Sequence, residues 1–490
     1  MKNMIKWIFF DMNNVIEDFQ SYKVNAYKEL PTIIDECYPS LNHKEVEEKI
    51  GIIRNELEYL FGNAPFEHHY IFWDDIYTKL FGHPPDSSEL NNLYNRYMAY
   101  YLDNIKIYDD AKEAIKNLEK DGYNMGIIAN GGSLRVRSFI SKYKLISFFK
   151  FITTSGDYYF KKPEKQIFDY SMNRQGIKPL NAVMVGDRLD NDILGANNAG
   201  IWSVLIKRNN IVNRPEVSLK ISPDDVIENL NDISSCWMFK IKKKVNTAII
   251  LAGGRGKRMG SLTNNTQKCL LTIAGKPIIE HQIRRMIKAG ISKIIIITNY
   301  KHEQLFNYIS NQDYNSICKV IKTHETSTGM ALANVIDEID EQFVFTHGDV
   351  YFSQSDFFNL IKQYYKYSLN HTISGILSIV GCENNLTHAI VQEEDDNNLT
   401  IVYDKPYERN DIKKTGSAFS FGLGILEKSF IKRKNEITDE NIMTENLIKY
   451  DNLKTPLKAY KLEQMYFHIE TPSDYCNINN NLSNDQLIIY

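Results

Sequence analysis

Short apolar runs recur along the chain, each ending in a Gly- or Asp-containing turn and followed by helical spacing. This alternation is typical of β-α units arranged around a parallel sheet. Two separate series are present, and the pattern therefore predicts an α/β protein with two open sheets. The first series predicts strands at Trp7–Phe10, Met125–Ile128, Ala182–Val185 and Ser203–Ile206, and the second at Thr247–Leu251, Lys293–Ile297 and Gln342–Thr346.

Residues from about 17 to 104 interrupt the first series with helical spacing and many aromatic side chains, but without a glycine-rich turn. This pattern predicts a helical cap inserted after the first strand, in which the aromatic residues pack against one another. A basic cluster at 240–244 separates the two series and indicates a solvated linker. We therefore expect a first domain over 1–235 and a second over 245–490, joined near residue 243.

Composition narrows the class of protein. Of the 490 residues, 43% are hydrophobic, which is enough to build buried cores, and the formal charge of -3 gives no drive toward nucleic acid or an anionic membrane. Six scattered cysteines suit reduced thiols of the cytoplasm, and the apolar runs are far shorter than the ~20 residues of a membrane span. The N-terminal apolar run breaks at Asp11, too early for a signal peptide. We expect a cytoplasmic protein without nucleic-acid or membrane partners, and a homo-oligomer remains open.

One group of polar residues follows the strands of the first series. Asp11 ends the first strand, where a carboxylate can attack a phosphate ester or hold Mg²⁺. Lys162 supplies a single ammonium that can stabilise a transferring phosphoryl group. The remaining members are Ala129, Asn130 and Gly131 after a second strand, and Gly186, Asp187, Asp190 and Asp192 in VMVGDRLDNDILGANNAG. The last segment gives a carboxylate cluster suited to Mg²⁺.

In order and spacing these four motifs resemble those of the haloacid dehalogenase superfamily of phosphatases, in the subgroup with a helical cap. The resemblance covers residues 1 to about 230. It implies that Asp11 forms an aspartyl-phosphate and contacts Mg²⁺, and that Lys162 steadies both nucleophile and phosphate. It also implies that Asn130 and Gly131 bind the substrate phosphate and that Asp187 and Asp192 anchor Mg²⁺.

Two positions depart from that pattern. The family usually has a second Asp two residues after the nucleophile, as general acid and base, whereas this chain has Asn13. An amide cannot shuttle a proton, so general catalysis typically worth ~10²–10⁴-fold is in question, although the backbone carbonyl of Asn13 can still bind metal. Ala129 stands where a Thr or Ser usually contacts phosphate. An active phosphatase and a repurposed fold therefore both stay open.

A second group surrounds LAGGRGKRM, which follows the strand Thr247–Leu251. The glycines 253, 254 and 256 let backbone N–H groups approach phosphate oxygens, and Arg258 and Lys268 add positive charge. The spacing does not match the Walker pattern, because no GK[ST] closes it. The dinucleotide fingerprint also fails, since charged residues follow the glycines.

This segment resembles the signature of the sugar-phosphate nucleotidyltransferases, and the likeness continues over about residues 245 to 480. It implies a glycosyltransferase-A-like mixed sheet, with Mg²⁺ at Asp349 of THGDV and the acceptor phosphate at Lys405 of YDKP. Arg258 and Lys268 would hold the triphosphate. The nucleotide-binding positions implied are Leu251, Ala252, Gly253, Gly254 and Gly256, together with Thr328 and Gly329 of STGMAL.

The second domain also departs from its family. In MYFHIETPSDY, His468 stands where the family has an Asp as second metal ligand. Imidazole is a softer ligand than Mg²⁺ prefers, and Glu470, two residues further along a strand, is an alternative carboxylate. Gln267 and Cys269 replace prolines, and Ser327 replaces a glycine. These changes bear on the nucleobase and the acceptor.

The sequence favours a bifunctional enzyme that uses Mg²⁺ in both domains. One domain would transfer a nucleotidyl group from an NTP to a small phosphorylated sugar or polyol, and the other would hydrolyse a phosphate monoester of the same surface-polysaccharide pathway. One alternative keeps only the nucleotidyltransferase active, for example on a polyol or choline-type phosphate, with the first domain as a non-catalytic module. The other alternative is a non-catalytic nucleotide sensor.

Overall fold

The computed structural model describes residues 4–40, 42–61, 74, 77–208, 221–324, 328–381, 389–393, 399–403, 417–420, 422–431, 457–462 and 466–485. By the density of their internal contacts, these residues divide into two compact units, Met1–Lys240 and Ile241–Tyr490. The division falls within the basic cluster 240–244. Each unit is described by itself below.

Six strands in the described part of the first unit form one parallel sheet. The strands are β1 (Trp7–Phe10), β2 (Asn124–Ala129), β3 (Phe149–Thr154), β4 (Ala182–Gly186), β5 (Trp202–Ile206) and β6 (Asp225–Ile227). Their order in the sheet is β3-β2-β1-β4-β5-β6. The central strand β1 pairs with β2 and β4, so that Phe10 stands beside Ile127 and Val185.

Helices pack on this sheet because their apolar faces cover the apolar side chains of its strands. One core cluster joins Phe9 and Met184 of the sheet to Phe168 and Ala196 of two helices, all fully buried. These sheet-packing helices span Asp109–Lys120, Ser133–Lys142, Lys165–Asn173 and Leu194–Ala199.

The segment between β1 and β2 contains the helices of the cap. They span Phe19–Cys37, His43–Phe61 and Ser87–Asn104. The last of these begins with a capping box, in which Asp86 accepts from the backbone N–H of Glu89 and Glu89 accepts from that of Asp86. A short antiparallel contact at Glu17 and Ile107 joins the two chain segments that enter and leave the cap. The predicted helical cap is therefore present.

The second unit is built on a mixed sheet. The strands of this sheet are β7 (Thr247–Leu251), β10 (Lys293–Thr298), β11 (Cys318–Lys322), β12 (Gln342–His347), β14 (Gly375–Gly381), β15 (Ala389–Glu393), β16 (Leu399–Tyr403), β17 (Ser417–Ser420), β18 (Leu423–Glu427) and β19 (Leu457–Lys461). Strands β11, β10, β7 and β12 lie side by side and run parallel. Next comes β18, which is antiparallel to both of its neighbours, β12 and β14. The order then continues β17-β15-β16, and β19 also pairs with β14.

Two small ribbons complete the described part of this unit: β8 (Thr272–Ile273) with β9 (Lys276–Pro277), and β13 (Val350–Phe352) with β20 (Tyr466–His468). A satellite core of Met259, Ile273, Tyr351, Ile469 and Ile478 fixes the second ribbon against the C-terminal helix. The helices span Ile278–Lys288, His302–Ser310, Thr328–Ala333, Gln354–Asn370, Lys428–Ile431 and Pro472–Asp485.

All seven predicted strands are present, with ends shifted by one residue at most. Among the described residues, no helix is both long and apolar enough to cross a membrane. Ser327 and Lys405 lie outside the described residues, and of Thr328 and Gly329 only the backbone is described, at the start of the helix Thr328–Ala333.

Candidate active sites

The first candidate site lies at the carboxyl ends of β1 and β4. Asp11 directly follows β1, and its backbone N–H donates to the carbonyl of Val185 at 3.0 Å, which continues the pairing of β1 with β4 by one residue. Lys162 is buried and donates from Nζ to Asp11 Oδ1 and to Asp192 Oδ1, both at 2.6 Å. One ammonium therefore links two carboxylates that are 181 positions apart in the chain.

The charge on Lys162 is maintained by these two contacts. Burial disfavours the ammonium, but the charges of Asp11 and Asp192 outweigh burial and raise the pKa of Lys162 above its ordinary value. Burial raises the pKa of Asp192, although Lys162 opposes that shift. Removing the cation would leave two buried carboxylates without compensation, which typically costs about 3–5 kcal/mol in a buried pair.

The loop after β4 supplies the remaining carboxylate. Asp187 accepts from Asn14 Nδ2 at 3.0 Å, and Asp192 Oδ2 accepts from the backbone N–H of Arg188 at 3.0 Å. Oxygens of Asp11, Asp187 and Asp192 all lie within 4.8 Å of one another. Three carboxylates in this spacing suit a divalent cation that prefers oxygen ligands. Asp190, which the sequence placed in the same cluster, pairs instead with Arg188 at 2.9 and 2.5 Å.

The small polar loop after β2 is held beside the lysine. The side-chain amide of Asn130 makes two hydrogen bonds to the backbone of Lys162. Its Oδ1 accepts from the N–H of Lys162 at 2.8 Å, and its Nδ2 donates to the carbonyl of Lys162 at 3.0 Å. The backbone N–H of Gly131 donates to Ser155 Oγ at 2.9 Å. The structure thus brings together Asp11, Asn130, Lys162, Asp187 and Asp192.

Sequence reasoning missed Asn14 and Arg135. Asn14 adopts a φ of 57° and connects two loops, because its Oδ1 accepts from the backbone N–H of Gln20 while its Nδ2 reaches Asp187. The segment DMNNV, residues 11–15, carried this signal, since Asn tolerates the left-handed region. Arg135 donates to Asn13 Oδ1 at 2.8 Å, and a single Arg within a helix carried no comparable signal.

The second candidate site surrounds the loop after β7. The backbone N–H of Ala252 donates to the carbonyl of Ile297, and the backbone N–H of Gly348 donates to that of Leu251, so the neighbouring strand ends hold the loop. Gly256 is the glycine that the local geometry requires. Its φ is +66°, and an added Cβ would lie 3.1 Å from Thr263 and 3.2 Å from Lys268. Gly253 and Gly254 have room for a Cβ.

Two ion pairs connect this loop to the ribbon of β13 and β20. Lys268 Nζ donates to Asp349 Oδ2 at 2.5 Å, and Arg258 holds Glu470 through two bonds of 2.6 and 3.0 Å. Gln267, which replaces a family proline, donates from Nε2 to the carbonyl of Ala252 at 2.5 Å. The two basic side chains that the sequence singled out, Arg258 and Lys268, are thus each paired with a carboxylate.

His468 lies between those carboxylates. The ribbon pairs it with Val350, which places its Nε2 3.4 Å from Asp349 Oδ1 and 3.8 Å from Glu470 Oε1. Burial alone would raise the pKa of Asp349, but the hydrogen bond and charge of His468, with the charge of Lys268, hold that pKa well below its ordinary value. Burial would lower the pKa of His468, but Asp349 and Glu470 raise it. One imidazole and two carboxylates form a mixed donor set.

Two family profiles match the chain. Residues 8–206 match haloacid dehalogenase-like hydrolase, and residues 247–483 match nucleotidyl transferase. The chain is therefore a haloacid dehalogenase-like hydrolase domain fused to a nucleotidyl transferase domain, as the motifs indicated. Both are enzyme families.

Relatives of each half are known. The chain is 28% identical over 238 residues to a bifunctional protein GlmU from Methanocaldococcus jannaschii, covering 47% of this chain and 53% of that protein. It is 28% identical over 205 residues to a glyceraldehyde 3-phosphate phosphatase from Methanothermobacter thermautotrophicus, covering 41% of this chain and 86% of that one. The match thus spans about half the length of the GlmU relative.

Among solved structures, a phosphatase of the haloacid dehalogenase family from Thermococcus onnurineus is 23% identical. The match covers 47% of this chain and 97% of that one, with a TM-score of 0.37.

Proposed function

We propose that the chain is a bifunctional enzyme. The second domain transfers a nucleotidyl group from an NTP to a small phosphorylated sugar or polyol, and the first domain hydrolyses a phosphate monoester. The observation that supports this proposal is that, in each domain, a lysine pairs with one or more carboxylates near the ends of the strands. Both reactions act on phosphates, and each site offers positive charge from a lysine and carboxylates that could hold a divalent cation.

In the first domain, Asp11 is the nucleophile. One of its carboxylate oxygens attacks phosphorus while the bond to the leaving oxygen breaks, and water then attacks the phosphorus of the aspartyl-phosphate to release phosphate. Lys162 neutralises the charge of both the carboxylate and the phosphoryl group. Asn130 fixes the backbone of Lys162, and Asn130 and Gly131 are proposed to bind the phosphoryl oxygens. Mg²⁺ bound by Asp11, Asp187 and Asp192 would supply further charge neutralisation.

Phosphate release tests the first reaction. The full-length wild type should release phosphate from a panel of sugar and polyol phosphates in the presence of Mg²⁺, and Asp11→Asn should reduce the rate by at least about 10³-fold, as losses of a catalytic nucleophile do. Asp169→Asn is the matched control, because Asp169 pairs with Lys165 on a helix surface and should leave the rate unchanged. Equal rates for wild type and Asp11→Asn would reject the phosphatase.

In the second domain, the chemistry is in-line transfer. A phosphate oxygen of the acceptor attacks the α-phosphorus of the NTP, the bond between the α- and β-phosphates breaks, and pyrophosphate leaves. The backbone from Leu251 to Gly256 approaches the phosphates, and Arg258 and Lys268 offset their charge. A divalent cation held by Asp349, with His468 and Glu470, would supply charge neutralisation at the α-phosphate. Lys405 and the segment at Thr328 and Gly329 are proposed for the acceptor and the base.

Pyrophosphate release tests the second reaction. Each of the common NTPs is combined with sugar 1-phosphates and polyol phosphates, and one pairing should dominate. Lys268→Met should abolish most of that rate, whereas Lys276→Met should not. Lys276 lies eight residues further on, is exposed, and approaches Glu280 only at 3.9 Å. Binding of an NTP without turnover across the whole panel would favour the nucleotide sensor instead.

The same assays distinguish this proposal from the first alternative, in which the capped domain is a non-catalytic module. That alternative predicts pyrophosphate release without phosphate release from any ester. Asn13 and Ala129 favour this alternative, and the intact arrangement of Asp11, Lys162 and Asp192 favours catalysis. We propose that both reactions serve one cytoplasmic pathway toward activated precursors of surface polysaccharide.

A further inference from the structure

Arg135 is a buried cation that neither reaction above uses. Its side chain is 3% exposed. Nη1 donates to Glu17 Oε1 at 2.5 Å and to Tyr101 Oη at 3.1 Å, while Nη2 donates to Asn13 Oδ1 at 2.8 Å. One guanidinium thus joins the loop after β1, the cap helix Ser87–Asn104 and the core helix Ser133–Lys142.

The position of this guanidinium is strongly determined. Its carbon lies 5.4 Å from the ring centres of both Phe19 and Tyr101, and Glu17, which is fully buried, also accepts from Tyr101 Oη. Burial disfavours the charge, but Glu17 outweighs it and keeps the pKa of Arg135 above its ordinary value. The two ring contacts and the three hydrogen bonds leave Arg135 little freedom to turn.

The contact with Arg135 determines how the oxygen and the nitrogen of the Asn13 side-chain amide are oriented. A guanidinium has only donors, so the group that faces it must be the amide oxygen. The NH₂ group is then the end of the amide that is left to bind a ligand, and Asn13 lies two residues after Asp11. Asn13 can therefore donate a hydrogen bond, but its amide protons are too weakly acidic to be transferred to a leaving group.

We propose that Arg135 is a positioning residue that fixes Asn13 as a hydrogen-bond donor beside Asp11. The first domain consequently acts on phosphate monoesters whose leaving oxygen is weakly basic, such as aryl or anomeric esters, in preference to simple alkyl esters. This inference rests on the proposed phosphatase function. When the bond between phosphorus and the leaving oxygen breaks, the electron pair stays on that oxygen, the Asn13 N–H stabilises it, and solvent water then protonates it.

The first experiment measures kcat/KM of the full-length protein for p-nitrophenyl phosphate, phenyl phosphate and a simple alkyl phosphate. The alkyl ester should be at least about 10²-fold slower than the nitrophenyl ester, because the missing proton donor is typically worth ~10²–10⁴-fold. Rates that barely change along the series would overturn the inference while leaving the phosphatase intact. Absence of phosphate release from every ester would overturn both.

The second experiment tests Arg135 itself by a double-mutant cycle. Asn13→Ala removes the donor but leaves the pair of Arg135 and Glu17, so the fold should persist and kcat on phenyl phosphate should fall about tenfold, the effect of losing one hydrogen bond to a charged group. Arg135→Lys should lower kcat, with little change in KM, in the wild-type background and cause no further loss in the N13A background.

Arg137→Lys is the matched control, because Arg137 is exposed on the same helix and donates to Ser133 and Ile152. Equal losses from Arg135→Lys in both backgrounds would show that Arg135 does not act through Asn13 and would overturn the proposal. Circular dichroism and thermal unfolding report whether the first domain of each variant is folded. The leaving-group series on the wild type does not depend on any variant.

Discussion

Gly186 shows how one missing side chain creates a site. It is the last residue of β4, and a Cβ built on it would lie 2.2 to 2.4 Å from the side-chain atoms of Asp192. That distance is far below van der Waals contact, so Asp192 can occupy its position beside Lys162 only because residue 186 is glycine. The requirement is steric, since no positive φ is involved.

We therefore expect Gly186→Ala to displace Asp192 and break its bond to Lys162. Overpacking of this kind typically costs about 1–3 kcal/mol, and phosphate release should fall more than about tenfold. Thermal unfolding and a phosphate assay check the two effects. Gly51→Ala is the control, because a Cβ at that helical glycine meets nothing within 4 Å. Wild-type phosphate release by Gly186→Ala would show that Asp192 is not needed.

His468 is the second residue whose identity matters by itself. Imidazole is a poorer ligand for Mg²⁺ than carboxylate, so His468→Asp should lower the half-saturating Mg²⁺ concentration for nucleotidyl transfer by about tenfold, equivalent to about 1.4 kcal/mol. The added charge beside Asp349 and Glu470 should also make thermal stability fall in a chelator and recover with Mg²⁺. His83→Asp, at an exposed histidine of the other domain, is the control. An unchanged Mg²⁺ dependence and stability would place the cation elsewhere.

At the scale of elements, the turn that carries Glu470 depends on the cap of the C-terminal helix. Asp474 Oδ2 accepts from the backbone N–H of Glu470 at 3.0 Å and from the N–H and Oγ1 of Thr471 at 2.8 and 2.9 Å. Thr471 Oγ1 accepts in return from the backbone N–H of Asp474. The cap therefore positions Glu470 for its bidentate pair with Arg258.

Asp474→Ala should destabilise the second domain by about 1 kcal/mol, the usual effect of losing a helix cap, and should also reduce pyrophosphate release because Glu470 loses its support. Thermal unfolding and the pyrophosphate assay measure both. Asp313→Ala, at an exposed carboxylate that meets Arg284 at 3.3 Å, should change neither. Loss of stability with full activity would mean that the cap does not position Glu470.

The strands could be predicted from the sequence because each is a short apolar run bounded by a turn. β1 and β7, at Trp7–Phe10 and Thr247–Leu251, have the predicted ends. The motif residues followed from their positions at strand ends, where open α/β sheets collect ligand-binding groups. The contacts of Arg135 could not be predicted, because a buried ion pair between residues 118 positions apart leaves no periodic trace. Nor could spacing tell that Asp190 pairs with Arg188 and Asp192 with Lys162.

At the scale of the whole molecule, the formal charge of -3 conceals two strongly charged sites. In each unit, lysine or arginine is paired with the carboxylates that would hold a cation: Lys162 with Asp11 and Asp192, and Lys268 with Asp349. Each set lies within a single unit, and each unit matches its own enzyme family. The two activities should therefore be separable by mutation.

The most direct test measures phosphate and pyrophosphate release in parallel for the full-length wild type, Asp11→Asn and Lys268→Met. Two independent sites predict that Asp11→Asn abolishes phosphate release and leaves pyrophosphate release within about twofold. Lys268→Met should do the reverse, since sites that share no partners behave additively. A wild type that releases only one of the two products, or a variant that eliminates both while remaining folded, would contradict the bifunctional account.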